Sequence, residues 1–175
     1  DGTISGSATN NFGQGIVLIT STITTLTNDG TISGSAGNNF GSGIVLTSNS
    51  IITNLTNDGT ISGTADNDSG RGILLSRSEI TNLTNNDTIS GTAGNDFGFG
   101  IRLSTNSTIT TLTNNDTITG TAGNDTGRGI SLQTNSSIIN LTNDGTISGS
   151  ATGNTGLGIY LFNNSEITTL TNDGT

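Results

Sequence analysis

Cysteine, proline, histidine, lysine, methionine and tryptophan are all missing from the 175 residues, and tyrosine occurs once. Without cysteine there is no disulfide framework, which suits a chain that crosses an envelope unfolded. Without histidine, lysine or cysteine the catalytic repertoire is narrowed to carboxylates and hydroxyls, and the singular charges among them are scattered, which argues against catalysis. Positive charge is scarce: Arg71, Arg77, Arg102 and Arg128 stand against 13 acids, for a net charge of −9. No basic patch exists to neutralise phosphates, so nucleic acid is not an expected partner. No apolar run approaches the ~20 residues of a membrane helix, so no membrane insertion is expected of this segment.

Apolar residues make up only 28% of the chain and charged residues only 10%. Low charge removes the self-repulsion that keeps polyelectrolyte segments open, and low apolar content argues against one thick core. A thin, repeated core with backbone ladders reconciles the two. What the chain does have is glycine, 27 copies, and repetition. The phrase T-I-S/T-G places Ile at 4, 32, 61, 89, 118 and 147. The phrase G-x-G-I-x-L places Ile at 16, 44, 73, 101, 130 and 159, and I-x-x-L-T-N places Leu at 26, 55, 83, 112, 141 and 170. A period of 28 or 29 residues with three short apolar segments is a solenoid signature.

The segments read as strands. Ile32, Gly34 and Ala36 alternate with Thr31, Ser33 and Ser35, the period of two of a pleated chain. Thr, Ile and Val favour that backbone, whereas the many Gly and Asn residues disfavour a helix. Ile32, Ala36, Ile44, Leu46, Ile52 and Leu55, with their equivalents, are the expected interior. The expected fold is all-β: a parallel β-solenoid of about six coils, three strands and 28–29 residues per coil. All length variation falls between the second and third segments. Four residues separate Leu18 from Ile23 and Leu75 from Ile80, and five separate the others. That connection is therefore a solvent-facing turn. The chain opens on Asp1-Gly2-Thr3 and closes on Asp173-Gly174-Thr175, the same phase of the repeat. Residues 1–175 are expected to be one array, a window of a longer chain.

Two residues after each third-segment Leu comes an asparagine: Asn28, Asn57, Asn85, Asn114, Asn143 and Asn172. Stacked coils would set these side chains roughly 4.8 Å apart, close enough for each amide to bond its copies above and below. They are expected to point inward as a structural ladder.

The phrases L-T-N-D-G-T-I-S-G and G-x-G-I-x-L resemble the passenger repeats of bacterial autotransporters and filamentous-haemagglutinin-like secreted proteins. The resemblance covers the whole chain. It implies a right-handed parallel β-helix, export through an outer-membrane pore, and display as a rod at the cell surface or outside the cell. It also implies adhesion, aggregation or a stalk rather than catalysis. None of the family's catalytic motifs is matched.

The expected function is a non-enzymatic structural segment, a stalk, fibre or adhesin body. Its partners would be neighbouring coils of the same or another copy, packed laterally or end to end, or a host or cell-surface glycan or protein. An alternative is ligand binding by a regular face. Thr31, Ser33 and Ser35, with Thr117, Thr119 and Thr121, form a hydroxyl array of the kind that orders water or ice. The acidic turns at Asp29, Asp58, Asp144 and Asp173, at Asp87 and Asp116, and at Asp68, Asp96 and Asp125 suggest weak calcium uptake at most, and no cofactor is expected. The most variable positions lie in the second segment. Val17, Val45, Leu74, Phe99 and Tyr160 are expected to form an outward contact strip, with Phe99 flanked by Arg71 and Arg128 as a cation–π stack. Arg77, Glu79 and Glu166 are unique charges with no evident common site.

Overall fold

A computed structural model describes residues 2–175. These residues form eighteen strands, three per coil: β1 (Thr3–Ala8), β2 (Phe12–Ile19) and β3 (Thr22–Asn28) open the series. β16 (Thr146–Ala151), β17 (Thr155–Phe162) and β18 (Glu166–Asn172) close it. Like strands stack in parallel into three six-stranded sheets, called A, B and C for the first, second and third strand of each coil. The chain is thus a parallel β-solenoid of six coils with about 29 residues per coil. Register follows the repeat: Ile89 pairs with Ile61 and Ile118 in sheet A, Ile101 with Ile73 and Ile130 in sheet B.

Each inward column is nearly one residue type. Ile61, Ile73, Leu75, Ile80 and Leu83 fill one coil, and their copies lie directly above and below with almost no exposure. Every methyl group therefore packs against an identical neighbour, and a chain poor in apolar residues still builds a continuous core.

The third segment spaces its core residues as I-x-x-L, which a flat strand would send to opposite faces. The structure resolves this with a kink. In the central coil Ile109 pairs with Ile80 and Leu112 with Leu83, but the ladder skips Thr110 and Thr81. Sheet B kinks likewise at Gly72 and Gly100, so that the glycine and the following isoleucine both face inward. Where sheets A and B converge, the interior has no room for side chains. A Cβ on Gly91 would overlap the carbonyl oxygen of Phe99, and one on Gly98 that of Thr121. The invariant glycines of the first two phrases mark this close approach of backbones rather than a turn.

Truncating a core column breaks two stacking contacts at once. Leu112→Ala is expected to cost about 2–5 kcal/mol, read as a loss of thermal stability, the range for buried leucine. A change below about 1 kcal/mol would contradict the tight packing seen at this fully buried side chain.

Candidate functional site: corners, hydroxyl rows and an arginine–aromatic face

The turn after sheet C carries the asparagine ladder. Asn28 Nδ2 donates to Asn57 Oδ1 at 2.7 Å, and the chain continues through Asn85, Asn114 and Asn143 to Asn172 at 2.7–2.8 Å. The same amides also donate to backbone carbonyls, as Asn85 does to Asp87 O and Thr117 O. Asn57, Asn85 and Asn114 are fully buried, so their amides serve the fold and offer nothing to a ligand.

The turn between sheets A and B carries a second amide ladder, exposed and of opposite polarity. Asn38 donates back to Asn10, Asn67 to Asn38, Asn95 to Asn67 and Asn124 to Asn95.

The variable corner between sheets B and C carries a third ladder, of serine. The backbone N–H of Ser50 donates to Ser78 Oγ, that of Ser78 to Ser107 Oγ and that of Ser107 to Ser136 Oγ. In the long corners the hydroxyl reaches back three residues, as Ser107 does to Ser104 O, and in the short ones two, as Ser78 does to Ser76 O. Long corners use two left-handed residues, such as Thr105 and Asn106, while short corners use one, Thr20 or Arg77. The anchor stays in register while the loop before it changes length. One short corner leaves a shallow pocket lined in part by Arg77, Glu79, Asn49 and Asn106, a neighbourhood of these two charges that the sequence did not reveal.

Sheet A turns three hydroxyl rows outward. In all six strands every outward position is Ser or Thr, from Thr31, Ser33 and Ser35 to Thr117, Thr119 and Thr121. Neighbours within a row touch here and there, as Ser148 Oγ donates to Thr119 Oγ1 at 3.3 Å.

The acidic turns are bonded locally. Asp87 accepts from Thr88, Asp116 from Thr117, and Asp58 from the Asn86 amide. Among the described residues no three metal-ligating side chains gather to hold an ion.

The outward face of sheet B differs from the other two. Val17 is exposed and Leu74 and Tyr160 are partly covered, but Val45 and Phe99 are buried, at 3% and 1% exposure. The expected open strip of Val17, Val45, Leu74, Phe99 and Tyr160 is thus corrected. Long neighbouring side chains lie down across its middle. Arg71 sets its guanidinium over the Phe40 ring at 4.4 Å rather than over Phe99, because the small Ser42 leaves that path open. Phe99 is covered instead by Arg102 at 4.8 Å and Arg128 at 5.7 Å, and Arg128 also lies 4.0 Å from the Tyr160 ring centre. Phe97 and Phe99 stack at 6.0 Å, and Tyr160 and Phe162 at 6.2 Å.

Burial first, then the charge of Arg102, pushes Arg71 down to about 10, with Asp68 opposing. Arg102 and Arg128 are lowered in the same sense, chiefly by burial. All three remain charged at neutral pH. The Nε of each is buried with no hydrogen-bond partner, an unusual condition for arginine.

The sequence matches no protein-family model, and no curated protein or solved structure is significantly similar to it.

Proposed function

We propose that the array is a non-enzymatic structural segment, a rod that spaces or displays other parts of a secreted bacterial surface protein. The supporting observation is the unbroken stacking of six coils. The same columns, the asparagine ladder and the serine ladder run through without an insertion that would form a catalytic cleft. Stability in such arrays comes from nearest-neighbour interfaces, so coils can be added without a larger core, as a spacer requires. The cell-surface setting rests on the resemblance of the repeat phrases.

Denaturing electrophoresis and negative-stain microscopy of the native protein test this. The expected result is a chain much longer than 175 residues, seen as a thin rod or fibre. A compact particle of about this length would sink the proposal.

A second reading, ice or ordered-water binding, is favoured by the unbroken Ser/Thr composition of the outward rows of sheet A. An ice-recrystallisation assay separates the two. The rod reading expects crystals to coarsen as in buffer, whereas inhibition abolished by Thr119→Tyr would move function to the hydroxyl face.

A further inference from the structure

The outward rows of sheet B gather what the rest of the rod lacks: all five phenylalanines, the single tyrosine and three of the four arginines. Each guanidinium carbon lies within 5 Å of a ring centre, yet the group's hydrogen-bonding capacity is left largely unused. Arg102 gives one bond to Gln133 Oε1, at 3.2 Å. Arg71 and Arg128 give none among the described residues, and Arg71 is nine-tenths buried. With each Nε buried, the terminal nitrogens of the guanidinium remain, and their donors lie in the plane of the group, the arrangement that takes a carboxylate in bidentate fashion. The three stem from consecutive coils, whose strands lie about 4.8 Å apart, with Arg71 leaning toward the coil of Phe40 and Arg128 toward that of Tyr160. A shallow groove lined by Phe97, Phe99, Arg102, Arg128, Tyr160 and Phe162 continues the line.

The geometry points to a binding site for a linear carboxylate-bearing polysaccharide, with its carboxylates on the guanidinium groups and the C–H faces of its sugars on the adjoining rings. Charge complementarity is local: these are three of the four cationic side chains of a chain whose net charge is −9. An extended peptide would bind a sheet by joining its edge, whereas this is a face whose backbone is already paired. A nucleic acid would need a basic field and many phosphate contacts, which three arginines do not supply. At physiological ionic strength, screening over about 8 Å removes most of the repulsion from distant turn carboxylates while contact pairs persist. The site does not depend on the rod proposal, because a compact protein would carry the same face.

The test uses the 175-residue chain on immobilised polygalacturonate, dextran sulfate and unmodified dextran. The wild type is expected to be retained by polygalacturonate in preference to both others. Arg71→Met and Arg128→Met should each weaken retention about tenfold or more. Their melting temperatures should hold or rise, since an apolar chain of similar length replaces a desolvated charge. If Arg71→Met alone melts lower, Arg128→Met decides the binding arm. No retention of the wild type on polygalacturonate would overturn the assignment. So would equal retention on dextran sulfate, or unchanged binding by the variants.

Discussion

Gly91→Ala is expected to be among the most damaging single changes in the array, although it adds one methyl group. That carbon would overlap the Phe99 carbonyl oxygen and lie 2.5 Å from the Gly70 carbonyl oxygen. Both obstacles are backbone, fixed by ladders on either side, so neither can rotate away. Relief requires sheets A and B to separate, which opens the columns of Ile89 and Ile101. Overpacking usually costs 1–3 kcal/mol, and with rigid neighbours on both sides about 3 kcal/mol or more is expected. For a domain of this size that is a fall of roughly 6–12 °C in Tm. Ser90→Ala, one residue earlier on the outward row, should stay within about 0.5 kcal/mol of the wild type. A Gly91→Ala protein that melts with the wild type would mean that the two sheets do not approach this closely.

The second large effect is expected at Asn85. Its amide nitrogen donates to Asn114 Oδ1, Asp87 O and Thr117 O, and its carbonyl accepts from Asn57 Nδ2. Asn85→Leu nearly preserves volume but strips these partners in a fully buried site. With about 1–3 kcal/mol for each buried group left unpaired, a loss of about 2–5 kcal/mol follows. Asn85→Asp sharpens the test. A carboxylate there still accepts from Asn57 but faces three acceptors where the amide donated. Its folded pKa should rise above the unfolded value of about 3.9. The sign follows: this variant should be most stable below about pH 4 and lose stability as pH rises through the folded pKa, a trend absent from Asn85→Leu. Parallel pH profiles of the two variants in chemical denaturation would refute an inward, hydrogen-bonded amide at this position.

Much of this architecture is legible in the repeat itself. Period, strand count and the inward columns of Ile32, Ile44, Leu46, Ile52 and Leu55 follow from spacing, because a solenoid copies one solution down its length. Asn85 stands out for the same reason, as an invariant polar residue in phase with Leu83. The serine ladder holds the same fixed phase, two residues before each third-segment isoleucine as in Ser50 and Ser78, but it escapes notice because serine recurs throughout the chain. The short-corner pocket of Arg77 and Glu79 is hidden likewise, as it arises from a deletion. On the face of sheet B, alternation says that Val45 and Phe99 point outward but not how much covers them. Cover depends on where Arg71 and Arg102 lie down, and that depends on small neighbours such as Ser42. The I-x-x-L spacing implies a kink in sheet C, but that the missing rungs fall at Gly100 and Thr110 shows only in the register.

The ladders also govern how the chain would reach this state. Like positions bond across 28 or 29 residues, whether the pair is Asn57 and Asn85 or Asn114 and Asn143. Each new coil therefore closes a loop of one fixed size against an edge already formed, and the entropic toll of closure is the same at every step. Relative contact order falls as coils accumulate, so a longer array need not fold more slowly than a short one. The first coil pair is the slow event. Thereafter ordering can travel along the chain from either edge of that pair, each finished coil serving as the template for the next.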